Sequence, residues 1–174
     1  MPNSEHNEYI SVDDALHRIL EAVQTVTETE HVPAKNAINR VLASNHSAQR
    51  DIPASDNSAM DGFLFWTNDL DEGKRTFLIS GEIRPEDDAP THPECGACSE
   101  IMTGATVPAG DFTIVPVEMV ELQGDSVTVN EIPDRNPIRK RGEGYRNGKH
   151  VLDHYTLVRP YEAGLMIESG NMEC

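Results

Sequence analysis

The 174-residue sequence is poor in aromatic residues, in basic residues and in cysteines. Aromatic residues make up 5% of the chain and include a single Trp, which argues against a base-stacking surface for nucleic acid. With 14 basic and 30 acidic residues, the chain carries a net charge of −16, which repels nucleic acids and anionic lipid headgroups. We therefore expect neither nucleic acid nor a membrane among its partners.

Long apolar runs and a secretory signal are also missing. No stretch approaches the roughly 18 consecutive apolar residues of a membrane span, and the first five residues lack the basic and apolar regions of a signal peptide. The odd number of cysteines indicates a reducing compartment, so a cytoplasmic location is expected. Cys95 and Cys98 have the spacing of a redox or half-zinc motif, but no second pair exists, and we favour two small, partly buried thiols.

The apolar residues that remain predict an α+β fold. A helix is expected at about residues 12–25, with Ser11 as its N-cap, and another at Tyr161–Ser169 between Pro160 and Gly170. Between them the apolar runs shorten to strand length, and residues 82–94 are predicted as a loop because they hold three prolines and several acids. The predicted strands are Thr76–Ser80, Ser99–Thr103, Phe112–Glu118 and Ser126–Asn130, with a hairpin turn at Gln123–Asp125 between the last two.

The two predicted helices suggest how the chain divides into domains. The closing helix has too few apolar residues to be buried alone, so we expect it to pack against the N-terminal helix. A shorter helical stretch is expected after Pro33. The sequence thus predicts a discontinuous helical lobe from residues 1–45 and 143–174, and a β-rich central lobe from residues 46–142.

The first segment that could carry chemistry is DIPASDNSAMDGF, at residues 51–63. Asp56, Asn57 and Ser58 can accept hydrogen bonds from nearby backbone amides and fix an irregular loop. Asp61 precedes Gly62, where a backbone bend would leave the carboxylate projecting. Such a carboxylate can hold Mg²⁺, with phosphate oxygens and waters as the other ligands. The alternative is an Asx-rich turn that binds nothing.

The second segment is SEIMTGATVPAG, at residues 99–110. A predicted strand runs into Thr103 and Gly104, where the hydroxyl group and the following amides could contact an oxyanion. A plain strand end followed by a turn would have the same sequence. The segment is therefore only a candidate when taken by itself.

The third segment is the basic run Arg139–Lys140–Arg141 between Pro137 and Gly142. Three consecutive cations in a strongly acidic chain form the place where an anion would be attracted. The alternative is a solvated basic turn whose cations pair with surrounding acids.

In this order and spacing the three segments resemble the MoeA family of molybdopterin molybdenumtransferases, which includes the corresponding domain of gephyrin. The segments DIPASDNSAMDGF, IMTGATVPAGD and IRKRGEG are similar to successive signatures of that family, and the likeness extends from about residue 9 to residue 170. The resemblance implies a protein that inserts molybdate into the dithiolene of adenylylated molybdopterin with Mg²⁺. It also implies an elongated homodimer, of whose domains this chain matches the first two, the helical linker and the β-rich domain.

The family's site residues can be placed on matching positions of this chain. The resemblance implies catalytic roles for Asp61 and Thr103, with Asp61 also serving as the metal ligand. The expected substrate contacts are Asn57, Ser58, Arg139 and Arg141. We expect no cofactor to be tightly bound by this chain alone.

Several departures from the family pattern affect the expected activity. The chain stops at residue 174, where the family continues into a third domain that binds the pterin and completes the site with the partner subunit's first two domains. Glu100 stands where the family commonly has Arg, Gly144 replaces an acid, and Tyr155 replaces a turn Gly. We therefore expect half a site, and no catalysis by the chain alone.

Three functions remain open at this point. The chain could supply Asp61 and Thr103 to a molybdenum-insertion site that a separate pterin-binding domain completes in trans. It could instead be a non-catalytic scaffold of the same pathway that binds a protein partner through its β-rich lobe. The third and most distant hypothesis is a free-standing phosphate-ligand or metal-binding domain, for which the spacing of His150 and His154 would be the signal.

Overall fold

The computed structural model describes residues 9–87 and 90–174 and has an α+β fold, as the sequence predicts. Its helices are α1 (Val12–Ala22), α2 (Thr67–Asp71) and α3 (Pro160–Glu168), with short 3-10 turns at Ala34–Asn36 and Val117–Met119. Its strands are β1 (His46–Ser47), β2 (Asn57–Ser58), β3 (Gly62–Trp66), β4 (Thr76–Ile83), β5 (Ala97–Ile101), β6 (Phe112–Pro116), β7 (Val120–Gln123), β8 (Ser126–Val129), β9 (Ile138–Arg139) and β10 (His150–Leu152).

Six strands form one mixed sheet in the order β6-β3-β5-β4-β8-β7. The pair β4–β5 is parallel and the other pairs are antiparallel. The predicted hairpin turn is present, but the assignment of its first strand to Phe112–Glu118 was wrong. That strand ends at Pro116 and a 3-10 turn follows, so β7 is the strand that pairs with β8. The predicted loop at residues 82–94 starts slightly later, since β4 continues to Ile83.

Both faces of β3, which lies between β6 and β5 in the sheet, are buried. Phe63 and Phe65 belong to one apolar cluster with Val115, whereas Leu64 belongs to a second cluster with Ile101. A strand buried on both faces has a continuous apolar sequence instead of an alternating one, which explains why periodicity did not reveal β3. This strand is the part of the fold that positions the candidate site.

A third apolar cluster joins the start and the end of residues 32–174. The backbone amide of Val32 donates to the carbonyl of Cys174 at 2.9 Å, and Val158 and Met166 are fully buried. The other buried members are Ala34, Ala37, Leu42 and Ala163. The helix predicted after Pro33 is only a 3-10 turn, because the chain reverses at Asn39, whose φ of 70° is left-handed. The predicted division into two lobes remains a prediction.

Of the described residues, those from 9 to 31 form a unit of their own. Its helix α1 is capped as predicted, since the Ser11 hydroxyl oxygen accepts a hydrogen bond from the amide of Asp14 at 3.1 Å. None of the residues of α1 is buried. Its apolar stripe is exposed and consists of Leu16, Ile19 and Leu20, with Val23 following. The predicted packing of this helix against α3 remains a prediction.

Candidate functional site

Asp61 and Thr103 meet at one end of the central sheet. Asp61 directly precedes β3 and Thr103 lies just after β5; these strands pair antiparallel with Gly62 opposite Ile101, which brings their ends together. The Oδ1 atom of Asp61 accepts hydrogen bonds from the Thr103 amide at 2.7 Å and from the Thr103 hydroxyl at 2.8 Å. Both residues are exposed to solvent. The convergence that the two sequence segments predict is therefore present.

The two hydrogen bonds from Thr103 stabilise the ionised form of Asp61. The hydrogen bond from the Thr103 backbone amide contributes most and the one from its hydroxyl group next. Together they lower the pKa of the Asp61 carboxyl below its usual range. The carboxylate is thus ionised at neutral pH. Within residues 9–87 and 90–174 its second oxygen, Oδ2, has no hydrogen-bond partner. One oxygen is held in place and the other is free to bind a cation.

Gly62 is required by close packing, and the expected backbone bend lies at residues 59–61 instead of at Gly62. Gly62 lies within β3 and does not have the left-handed φ that a bend would use. A Cβ atom added to Gly62 would lie 2.4 Å from the carbonyl oxygen of Val115 in the neighbouring strand β6. Asp61 lies in the bend that directly precedes β3, and Gly62 allows that strand to approach β6.

The loop that leads to Asp61 is tied to the segment after Thr103. The amide of Ser58 donates to the carbonyl of Ala105 at 3.0 Å, and the amide of Gly104 donates to the carbonyl of Ser58 at 2.8 Å. The fully buried Ser58 hydroxyl donates to the carbonyl of Met60 at 2.5 Å. Ser58 remains a predicted substrate contact, although its side chain points into the loop and stabilises it here.

Asn57 lies between two neighbouring segments. Strands β2 and β9 place it opposite Arg139, and an isolated bridge pairs it with Thr106 on its other side. In the part of the chain that the structure describes, the Asn57 Oδ1 atom is buried without a hydrogen-bond partner. An unpaired buried acceptor is unfavourable, so this position would gain from a donor. Its predicted contact with substrate stays a prediction.

The basic run divides into two paired cations and one exposed cation. Lys140 Nζ lies 2.8 Å from Asp56 Oδ2, and Arg141 Nε lies 2.6 Å from Asp51 Oδ2. The alternative of a basic turn paired with surrounding acids thus describes these two residues. Arg139 is exposed and makes no ion pair with any described residue. Of the two arginines predicted to contact substrate, Arg139 is the one whose guanidinium is available.

These ion pairs make the loop sensitive to acid. The pKa of the Asp51 carboxyl is lowered first by the Asn147 amide and then by Arg141. The pKa of Asp56 is lowered first by Lys140 and then by the amide of Arg141. A carboxyl whose pKa is lowered by folding stabilises the fold above its unfolded pKa, and that contribution is lost as the pH falls through its folded value.

We expect Asp51→Asn to reduce the dependence of stability on pH in the acid range. The wild-type chain should lose stability as the pH falls below the ordinary Asp pKa of 3.8, and the variant should lose less because it lacks this linked proton. Urea unfolding midpoints at pH 7 and pH 3 measure the difference. Asp71→Asn, at an exposed carboxyl in α2, serves as the control, and identical pH dependence in the two variants would contradict the expectation.

The other candidate ligands do not gather into a site. Within the described residues, no group of three or more His, Cys, Asp or Glu side chains could hold a metal ion. His150 lies 2.9 Å from Asp153, and His154 Nδ1 lies 3.0 Å from the Asn45 side chain. The structure thus pairs these two histidines with different neighbours.

Among the described residues, every helix is too short or too polar to span a lipid bilayer.

The two closely spaced cysteines lie in different environments. Cys95 is exposed, whereas Cys98 is buried in the apolar cluster around Phe63. Burial raises the pKa of the Cys98 thiol to about 12. A thiol with so high a pKa is a poor nucleophile and a poor metal ligand at neutral pH. The structure thus agrees with a small, inert thiol at Cys98, whereas the expectation that Cys95 is partly buried was wrong.

Comparison with known proteins decides the family. The sequence-family model of the MoeA N-terminal region (domains I and II) matches residues 10–170 of this chain. The chain belongs to this family. Among curated relatives, it is 30% identical over 166 residues to a molybdopterin molybdenumtransferase of Haemophilus influenzae, covering 94% of this chain and 41% of the relative. It is 34% identical over 152 residues to one of Synechococcus elongatus, covering 82% of this chain and 37% of the relative.

The fold of this MoeA-family chain is also similar to a solved structure. The crystal structure of a molybdopterin biosynthesis moeA protein from Pyrococcus horikoshii matches with a TM-score of 0.78 and 26% sequence identity. The match covers 92% of this chain and 44% of that protein. The chain therefore spans less than half the length of the relatives that it matches.

Proposed function

We propose that this chain acts in molybdenum cofactor biosynthesis and supplies one side of a molybdate-insertion site centred on Asp61 and Thr103. Membership of the MoeA family and the names of the relatives support the pathway. The observation that carries the proposal is the exposed carboxylate of Asp61, which has one oxygen held by Thr103 and one oxygen free. The substrate that the family implies is adenylylated molybdopterin together with molybdate.

Thr103 and Asp61 have distinct tasks in this proposal. Thr103 donates two hydrogen bonds to one oxygen of Asp61, which fixes the direction of the other oxygen and keeps the carboxylate ionised. A single fixed carboxylate fits Mg²⁺, which usually has one or two carboxylate ligands besides waters and phosphate oxygens. When bound there, Mg²⁺ would neutralise charge on the phosphate or molybdate oxygens. Asp61 is the residue that would hold it.

A second domain has to complete this site. Among the described residues, no cluster of further metal ligands accompanies Asp61. The family match is to the N-terminal region of longer relatives. We propose that a pterin-binding domain supplies the remaining contacts and acts in trans on this chain. Substrate held from one side only would lack a fixed geometry, and a displacement of about 1 Å can cost ~100-fold in rate.

Reconstitution tests this proposal. The 174-residue chain is assayed for molybdate-dependent cofactor formation alone and with a separately produced pterin-binding domain from a relative. We expect product only from the combination. Product from the chain alone would refute the need for a second domain. Absence of product from the combination, with an active full-length relative run in parallel, would refute the partial-enzyme proposal itself.

A scaffold function in the same pathway is the second candidate, and Glu100 favours it. This exposed carboxylate lies in β5, three residues before Thr103, and Glu82 opposite it in β4 is paired with Arg84 at 2.7 Å. The negative charge of Glu100 so close along the chain to Thr103 disfavours an anionic substrate there. A scaffold would bind its protein partner equally well after Asp61→Ala and would have no affinity for Mg²⁺, molybdate or nucleotide. A partial enzyme would bind its pterin-binding partner in a manner that depends on Asp61.

We also propose that the chain forms a homodimer through α1. Leu16, Ile19 and Leu20 expose an apolar stripe, with 54%, 59% and 63% of each residue accessible. The variant Leu16→Glu/Ile19→Glu should raise the dimer dissociation constant at least ~100-fold, because each lost contact is worth about 1.5–3 kcal/mol. Sedimentation equilibrium measures it. Arg18→Gln, on the same helix, is the control, and a wild-type chain that stays monomeric would refute the proposal.

A further inference from the structure

Strand β7 has a free edge. It is the last strand of the six-stranded sheet, with β8 as its neighbour. The amide of Asn130 donates to the carbonyl of Met119 at 3.0 Å, which makes these opposite residues a hydrogen-bonded pair. Because hydrogen-bonded and non-hydrogen-bonded pairs alternate along an antiparallel ladder, the backbone groups of Val120 and Leu122 point away from β8. Among the described residues, no loop or side chain bonds to them.

The strand at the opposite end of the sheet, β6, has its outer edge covered. The Oδ1 atom of Asn136 accepts a hydrogen bond from the amide of Ile114 at 3.1 Å, and its Nδ2 atom donates to the carbonyl of Phe112 at 2.7 Å. An uncovered row of backbone donors and acceptors is a template for pairing with another chain, and proteins usually protect it. The edge of β7 thus differs from that of β6 in leaving such a row open.

The side chains of β7 alternate between an apolar and a polar face. Leu122 lies opposite the buried Val127, and Val120 lies opposite the buried Val129. Leu122 is nevertheless 58% exposed, because β8 covers it from one side only. Glu121 projects from the other face and is exposed. A strand added at this edge would place its apolar side chains beside Leu122 and its polar ones beside Glu121.

The surroundings of this edge are acidic. The stretch from residue 111 to residue 134 contains no Lys, Arg or His. Its acids closest in sequence to β7 include Glu118, Glu121 and Asp125, which are exposed and make no ion pair with any described residue. A basic segment is attracted to such an edge. A second copy of β7 would bring the same acids and be repelled, since like charges on paired strands are destabilising.

We propose that the free edge of β7 binds an extended segment of a partner protein in which apolar residues alternate with Lys or Arg. The backbone groups of Val120 and Leu122 hydrogen-bond to this segment, which extends the sheet by one strand. Its apolar residues cover Leu122, and its cations face Glu121. The inference goes beyond the proposed function, because it uses neither Asp61 nor Thr103.

An amide NMR titration of the 174-residue chain with a synthetic peptide tests the inference. The peptide has the sequence KVRVKVR with both ends blocked, and ionic strength is held constant. We expect saturable shifts of the Val120 and Leu122 amides, and slower hydrogen exchange at both. A fully N-methylated form of the peptide, which lacks backbone donors, should bind at least about tenfold more weakly. The acidic peptide EVEVEVE should also bind at least about tenfold more weakly, because it is repelled.

Two variants separate backbone pairing from side-chain contact. Leu122→Pro removes the outward amide and leaves the bonds between β7 and β8 in place, since Pro is tolerated where the amide of an edge strand faces solvent. Leu122→Ala shortens the same side chain but keeps the amide. We expect KVRVKVR to bind Leu122→Pro at least about tenfold more weakly than Leu122→Ala. Unchanged shifts of the β8 amides show that the hairpin is folded in both variants.

A second pair of variants tests the charge of the edge. Glu121→Gln should weaken the binding of KVRVKVR about two- to fivefold, the range of an exposed ion pair. Asp71→Asn removes an exposed carboxylate in α2 and should bind as the wild type does. Equal weakening in both variants would show that only the net charge of the chain attracts the peptide, and would overturn the assignment to β7.

The remaining outcomes decide between strand pairing and its alternatives. Unsaturable shifts with KVRVKVR, or equal binding of its N-methylated form, would overturn the inference. Equal affinities of Leu122→Pro and Leu122→Ala would also overturn it. Shifts of the Leu122 amide when the chain is concentrated without peptide would assign the edge to a second copy instead. None of these measurements involves cofactor formation, so the proposed function is tested separately.

Discussion

Asp61→Asn should lower the rate of molybdate-dependent cofactor formation by the reconstituted pair at least ~100-fold, since changes even in groups that only support a metal ligand cost about 10- to 100-fold. Asn is nearly isosteric with Asp, and its amide oxygen can still accept both hydrogen bonds from Thr103. The fold should therefore persist. What is lost is the negative charge and the second oxygen, and with them the proposed ligand of Mg²⁺.

Two further variants make this prediction specific. Thr103→Val removes the hydrogen bond from the hydroxyl group at 2.8 Å but leaves the one from the backbone amide at 2.7 Å. We therefore expect a smaller loss of rate than in Asp61→Asn, and Thr103→Ser should recover the wild-type rate. Asp71→Asn removes an equally charged, exposed carboxylate in α2 and should leave the rate unchanged. Initial rates at saturating molybdate provide the comparison. If the Asp61→Asn chain, reconstituted with the pterin-binding domain, keeps more than about a tenth of the wild-type rate, Asp61 is not the metal ligand.

Gly62→Ala should destabilise the chain by about 3 kcal/mol or more, the upper part of the range for overpacking a core. Its Cβ would lie 2.4 Å from the carbonyl oxygen of Val115 and 3.0 Å from its carbonyl carbon. These are backbone atoms of β6, so they cannot move aside as the end of a side chain can. Relief requires β3 and β6 to separate, although β3 is a buried strand inside the sheet.

A second strand glycine supplies the control for this prediction. A Cβ on Gly81, in β4, would meet only the Ser99 hydroxyl at 3.7 Å, an ordinary contact. Gly81→Ala should therefore change the free energy of unfolding by no more than about 1 kcal/mol. Urea unfolding of both variants measures the difference. Equal stabilities of the two variants would show that β3 and β6 do not approach as closely as described.

Local signals in the sequence predicted the elements at both chain ends and several strands between them. Ser11 with its acidic first turn indicated the start of α1, and Pro160 with Gly170 indicated α3. The meeting of Asp61 and Thr103 was also predictable in outline, because each residue adjoins an apolar run and the two segments resemble one family. The helix ends depend on neighbours within a few residues, whereas the contact between Asp61 and Thr103, 42 residues apart, was reached through the family resemblance.

Other features that depend on distant partners, and that no family motif marks, escaped prediction. Lys140 binds Asp56 across 84 residues and Arg141 binds Asp51 across 90, so the sequence could not show which cations of the basic run remain free. Gly62 was interpreted as a turn residue, because the carbonyl of Val115 that requires it is far along the chain.

The most direct test of the central claim is a Mn²⁺ titration of the amide NMR spectrum, since Mn²⁺ can replace Mg²⁺ at oxygen ligands and broadens nearby signals. If the free oxygen of Asp61 holds a divalent cation, Mn²⁺ should broaden the Thr103 and Gly104 amides, and excess Mg²⁺ should reverse the effect. Asp61→Asn should abolish this broadening and Asp71→Asn should retain it. Equal broadening of these amides in Asp61→Asn would contradict the claim that Asp61 is a cation ligand.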